Sequence, residues 1–249
     1  MTWLFHSAGY EIFFNRDERR ERKPALPPAV RRQDAARFVA PLDGDFGGTW
    51  ISVNEYGISC CLLNGFPAAG AAVAERQDYI SRGMVPLALA GCVTTSAAAG
   101  VVRKLELDSY RPFVLVVLAP GRRGLTARWS GLALELRMEP PVDQPLVSSS
   151  FYTSEVRRNR TAVFERVMRE FGRDRSESHL EYHRRHEPEA GPHSPCMHRP
   201  DAETVSFSHI QVAAEEIRFL YVPDSPCRGE PLVPITMARP GSGRRLLPS

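Results

Sequence analysis

The stretch Trp3-Leu4-Phe5-His6-Ser7-Ala8-Gly9-Tyr10-Glu11-Ile12-Phe13-Phe14-Asn15-Arg16-Asp17-Glu18 decides how the rest of the chain is read. Two apolar runs flank a turn at Ala8-Gly9, which predicts a β-hairpin at the head of the chain. The second run ends in Asn15, Arg16, Asp17 and Glu18. A strand this aromatic belongs in a core, so the polar residues that follow it are held at the core's rim. Charges packed so densely there need partners, or they are there to hold something.

Outward from the hairpin, residues 19–37 are rich in Arg and Pro and read as an irregular surface segment. It is either a solvated loop or a flap over a pocket beside residues 15–17. Phe38-Val39-Ala40 reads as a short strand and residues 43–48 as a turn, whose carboxylates lack the ligand spacing of a calcium loop. Residues 49–53 and 58–63 read as paired strands. Residues 68–74 are small and of low complexity, a mobile loop. Residues 82–89 and 95–105 have helical patterning, with Thr94 or Thr95 as a cap. The apolar run over 112–118 fits a strand covered on both faces, and 125–138 a hairpin around Gly131. Residues 158–171 carry one apolar stripe and a Gly172 stop, the clearest helix. Residues 179–186 suggest a short polar helix with surface histidines. A last hairpin covers 204–222. From Pro223 onward the chain is rich in Pro and Gly and reads as an extended, partly disordered tail. The expected organisation is one domain over 1–222 and a tail over 223–249.

Composition narrows the classes. Hydrophobic residues are 43% and charged residues 24%, ordinary for a globular protein. The net charge of +3 is too small to argue for nucleic acid or an anionic membrane. Five cysteines, Cys60, Cys61, Cys92, Cys196 and Cys227, show no disulfide framework. Cys60 and Cys61 are adjacent in a strand and so point to opposite faces. No apolar run is long enough to span a bilayer, and no signal peptide is evident. The expectation is a reduced, cytoplasmic protein with no integral membrane segment.

Asn15-Arg16-Asp17-Glu18, Gly47-Gly48-Thr49-Trp50 with Val53 and Gly57 behind it, Leu62-Leu63-Asn64, and Ser81-Arg82-Gly83 follow in order along the first third of the chain. This ordered set resembles the NRDE family, also called the Transport and Golgi organisation 2 family. The resemblance implies an α+β fold of N-terminal nucleophile (Ntn) hydrolase type, a four-layer αββα sandwich of two antiparallel sheets flanked by helices. Three roles stay in play: an amidohydrolase or acyltransferase acting on a non-peptide amide bond, a haem or small-ligand carrier on the same scaffold, and a scaffold with no small-molecule site. In the first two the partner is a small-molecule substrate or haem, with no resident cofactor.

In Ntn hydrolases the first residue of the mature chain is Cys, Ser or Thr, and its free α-amine is the base. Pairing the two strands of the hairpin brings Arg16 and Asp17 back beside the terminus. Asn15, Arg16 and Asp17 are therefore candidate site residues, although an ion-pair network at the rim explains Arg16 and Asp17 equally well. Members of the family usually begin Met-Cys, whereas this chain begins Met1-Thr2-Trp3. Three accounts stay open: a Cys upstream of Met1, a non-catalytic member, or Thr2 itself as nucleophile. Related acylases place an Asn of the oxyanion hole where this chain has Ser148-Ser149-Ser150, which makes Ser149 the candidate donor; a well-placed donor contributes about 3 kcal/mol. Cys196, His198, His179, His183, His186 and His193 raise the question of a metal. No Cys-x-x-Cys or paired-His motif completes a zinc site, and the reading is no metal.

Overall fold

A computed structural model describes residues 1–66, 78–149 and 153–240. In chain order the described elements are β1 (Thr2–His6), β2 (Gly9–Arg19), β3 (Leu26–Gln33), β4 (Ala36–Leu42), β5 (Ile51–Asn54), β6 (Ser59–Asn64), α1 (Met84–Ala88) and α2 (Thr95–Lys104). After a 3-10 turn come β7 (Phe113–Ala119), β8 (Arg123–Trp129), β9 (Leu134–Arg137), α3 (Thr153–Phe171), α4 (Ser176–Arg184), β10 (Ala202–Val212), β11 (Glu216–Val222) and β12 (Ile235–Ala238). The expected loop at 68–74 lies outside the described residues.

The N-terminal hairpin forms, with Thr2 opposite Phe13. It is extended by the late strands into a five-stranded sheet of order β1-β2-β10-β11-β12. Strands β3 to β9 form a second sheet in which each pairs with its neighbour in sequence. Every pairing within the two sheets is antiparallel. Between the sheets lies a core that joins Trp3, Tyr10, Ile12 and Phe14 to Val53, Cys61 and Val116. On the far face of the seven-stranded sheet, Cys60, Leu115 and Leu125 pack against Val85 of α1 and Val102 of α2. On the far face of the five-stranded sheet, Phe13 and Phe207 pack against Leu180 of α4, and α4 packs on α3 through Tyr182, Phe164 and Val167. The layers are α-β-β-α, as the resemblance implied. Cys60 and Cys61 do face opposite sides, as a two-residue period requires.

Three local readings need correction. Residues 19–37 are largely strand: β2 runs on to Arg19, and β3 pairs with β4 as the outer strand of its sheet. Pro27 and Pro28 fall where the register shifts between Leu26 and Ala29. A proline has no N–H to contribute, and an edge strand with a bulge is where a sheet tolerates that. The second correction is the tail, of which Ile235–Ala238 adds β12 to the edge of β11. Met237 is buried there, and the Arg239 guanidinium donates to the carbonyls of Ala213 and Tyr56. The third is α4, expected to be polar with surface histidines; His179 and His183 are both 2% exposed. No helix among the described residues is long and apolar enough to cross a membrane.

Two separate sequence motifs turn out to be one contact. Thr49 N–H donates to Gly83 O at 2.9 Å, and a Cβ on Gly48 would lie 2.6 Å from the Gly83 carbonyl carbon. Only glycine permits backbones to approach this closely. The contact fixes the backbone beside Trp50.

Candidate active site at the amino terminus

Strand β2 delivers its polar end to two faces. Successive side chains of a strand alternate, so Phe14 enters the inter-sheet core while Phe13 meets the helices. Asn15 follows Phe13 outward and donates from Nδ2 to His183 O at 3.0 Å and Pro195 O at 2.9 Å. Arg16 follows Phe14 inward; its guanidinium lies over the Trp50 ring at 4.1 Å and pairs with Asp43 at 2.5 Å. Asp17 turns outward again, accepts from Thr204 Oγ1 at 2.6 Å, and pairs with Arg160 of α3 at 3.3 Å. Arg16 and Asp17 each have an ion-pair partner, and neither is the other's.

The amino terminus closes the arrangement. Met1 is buried, its amine donates to Leu146 O at 2.8 Å, and Leu146 N–H returns a bond to Met1 O at 3.0 Å. Trp3 N–H donates to Gln144 Oε1 at 2.8 Å, so residues 144–146 lie along the outer edge of β1. A cavity of about 160 Å³ opens beside Met1 and is lined by Asn15, Arg16, Asp17, Trp50 and Arg160, among others. Burial, reinforced by the Arg160 charge, lowers the Met1 amine from the usual 8.0 to about 5. The amine is therefore neutral at pH 7, the state a proton-accepting base requires.

Four buried polar atoms on cavity-lining residues have no partner among the described residues: Asn15 Oδ1, Trp50 Nε1, Arg160 Nε and His183 Nδ1. Buried polar groups are nearly always satisfied, so these exceptions set the wall of the cavity apart from the rest of the core.

Thr2 is not in this set. Its hydroxyl lies on the helix side of the sheet, 2.9 Å from His179 Nδ1 and 3.1 Å from His183 Nε2, and the residue is fully buried. Thr2 is opposite Phe13, and the same alternation that sends Phe13 to the helices sends Thr2 there. With Met1 in place, the Thr2 hydroxyl faces the histidines of α4 and not the cavity. Of the serine run, Ser148 lines the cavity and donates to Asn64 O at 2.6 Å. Ser149 lines a neighbouring groove, and its carbonyl accepts from Thr153 Oγ1 at 2.9 Å. The residues that sequence reading missed are Arg160, Trp50 and Asp43. Trp50 stood in a quoted motif; Arg160 gave no signal, because it comes from a helix far along the chain.

With this geometry, the fold is that of the Ntn hydrolases. The N-acylethanolamine-hydrolyzing acid amidase ortholog of Caenorhabditis elegans superposes with a TM-score of 0.53 at 12% identity, over 81% of this chain and 86% of that one. A variant of the conjugated bile acid hydrolase from Clostridium perfringens superposes with a TM-score of 0.54 at 7% identity, over 92% and 93%. At such identities the likeness is one of fold. No curated protein matches the sequence. Residues 7–128 match the family model described as Transport and Golgi organisation 2, and over that stretch the chain is similar to this family.

Proposed function

We propose that the cavity at Met1 is an amide-binding site of Ntn-hydrolase type, acting on a small non-peptide amide. The observation that carries this reading is the neutral, buried α-amine beside unpartnered donors and an unpartnered acceptor. An amide offers one carbonyl and, in most cases, an N–H, which suits donors such as Trp50 Nε1 and Arg160 Nε and the acceptor Asn15 Oδ1. In the hydrolytic form of the reading, the residue bearing the free amine also carries a thiol or hydroxyl. The amine takes that proton, the sulfur or oxygen adds to the amide carbon, and the amine returns the proton to the departing nitrogen; water, deprotonated by the same amine, then cleaves the acyl-enzyme bond and releases the acid. Arg16, fixed on Trp50, orients the first residue, and Asp17 fixes Arg160. A methionine side chain has no such proton, so the hydrolytic form requires Cys, Ser or Thr at the residue that bears the free amine.

The experiment compares the chain that starts at Met1 with one in which Met1 is replaced by Cys and exposed by removal of an initiator methionine. Both are incubated with an activated acyl ester and weighed intact. The Cys-first protein is expected to gain one acyl group at its first residue, and Arg16→Ala is expected to slow that labelling at least tenfold. A folded Cys-first protein that stays unlabelled would sink the proposal. Intact mass of the protein from its own host supplies the natural first residue.

A second reading, a carrier of haem or another small ligand, draws on the neighbouring groove of about 1180 Å³, which shares Leu146, Val147 and Ser148 with the cavity. The smaller cavity lies below the usual size for such a ligand, about 300 Å³ and upward. No His, Cys, Met or Tyr is among the described residues lining the groove. Haem there would be held by its propionates on Arg128, Arg157 or Arg173 rather than through its iron.

A further inference from the structure

Away from the cavity, the chain draws together four side chains that the site does not use. His186 follows the end of α4, Cys196 and His198 lie before β10, and Cys227 lies after β11. One ligand atom from each lies within 4.8 Å of all the others. We propose that His186, Cys196, His198 and Cys227 form a tetrahedral zinc site.

Geometry supports this first. With Zn–S about 2.3 Å and Zn–N about 2.0–2.1 Å, a tetrahedron has edges of roughly 3.8 Å between sulfurs, 3.6 Å between sulfur and nitrogen, and 3.3 Å between nitrogens. Cys196 Sγ and Cys227 Sγ are 3.5 Å apart, Cys196 Sγ and His198 Nε2 3.6 Å, and His198 Nε2 and Cys227 Sγ 3.3 Å. Cys196, His198 and Cys227 already stand at nearly the spacing the ion needs, and the ligand atom of His186 lies within 4.8 Å of all three.

A second, independent observation is His186 Nε2, buried with no hydrogen-bond partner among the described residues. A bare imidazole nitrogen costs free energy unless something accepts its lone pair. The third observation is the setting of His198. While Nε2 faces the sulfurs, Nδ1 lies 3.6 Å from Glu203 Oε2, and Glu203 is held by Arg20 at 2.8 Å and Arg228 at 3.0 Å. A carboxylate behind a ligating histidine fixes its tautomer and strengthens it as a donor. Two thiolates balance the charge of Zn²⁺ at this partly buried site. Binding releases the two thiol protons to solvent.

The ligand set of two sulfurs and two nitrogens selects zinc over hard cations. The site ties three distant segments into one knot. That knot includes Pro195, whose carbonyl holds the Asn15 amide at the cavity, so the metal stabilises the cavity's wall without touching its contents.

The test uses the full chain, purified with reductant. Zinc by elemental analysis is expected at one equivalent per chain. Cobalt exchanged into the same protein is expected to give the visible bands of a tetrahedral site and thiolate charge transfer in the near ultraviolet. Cys227→Ser sits at a half-buried position beside Ser225 and is expected to lower retained zinc at least tenfold. Folded, reduced wild-type protein that takes up neither zinc nor cobalt would overturn the proposal, as would a Cys227→Ser protein that keeps its full equivalent. If the variant does not fold, the wild-type cobalt spectrum still decides. A protein that reduction alone shows to have carried a Cys196–Cys227 disulfide, and that then binds no metal, assigns the pair to redox chemistry instead.

Discussion

Asn15, Arg16 and Asp17 are consecutive, yet they meet three different neighbourhoods, because a strand sends alternate side chains to opposite faces. That gives Thr2 a structural role. Thr2→Val leaves two imidazoles without their shared hydroxyl and is expected to lower stability by about 1–3 kcal/mol. Ligand binding at the cavity is expected to be unchanged; a binding defect as large as that of Arg16→Ala would put Thr2 back in the site. Asp17→Ala removes the carboxylate facing Arg160, whose side chain is 10% exposed against 24% for Asp17. The expected loss is about 2 kcal/mol, below the range for a fully buried pair because Asp17 is partly solvated. Adding Arg160→Met should recover most of that loss in a urea titration, since the buried charge goes with it. If the double variant is worse than the single one by a further 2 kcal/mol, roughly, the two residues are not acting as a pair.

Among the elements, β12 departs most from its sequence. Its flanking prolines suggest a free tail, while Met237, 3% exposed, fills the end of the inter-sheet core. Met237→Ala is expected to cost about 2–3 kcal/mol through lost burial and a residual cavity. Val233→Ala, at 90% exposure, is expected to stay within about 0.5 kcal/mol of the parent. Equal thermal shifts for the two would mean that this segment does not belong to the fold. Strand β3 misleads in the same way: its arginines and prolines suit an exposed edge, where charge also discourages pairing with a second chain.

At the scale of the whole molecule, three buried groups work against acid in succession. The Met1 amine falls from 8.0 to about 5, through burial and then Arg160. His179 falls from 6.5 to about 4, chiefly through burial. Both bind fewer protons folded than unfolded, so stability rises with pH, between about 5 and 8 for the amine and between about 4 and 6.5 for His179. Burial alone would raise the Glu11 carboxyl, but hydrogen bonds from His209 and Ser176 outweigh it and hold it at about 2, against 4.5. Its contribution is complete above 4.5 and is lost as pH falls toward 2. The three slopes have one sign. Urea midpoints measured at pH 8, 6.5, 5 and 3.5 are expected to fall at every step, and a midpoint that rises from pH 8 to pH 5 would contradict the burial of the amine.

The family motifs and the period of two in the first hairpin determined the fold class, the sandwich core and the convergence of the terminus with residues 15–17. These are local patterns, or short-range pairings, and a linear chain displays them. That His179 and His183 meet Thr2, that Arg160 rather than Arg16 answers Asp17, and that Cys227 joins His186, Cys196 and His198 were decided only by tertiary structure. Each depends on packing α3, α4 or the segment after β11 against the sheet. Contacts between residues so far apart in the chain leave no mark on the sequence around either partner.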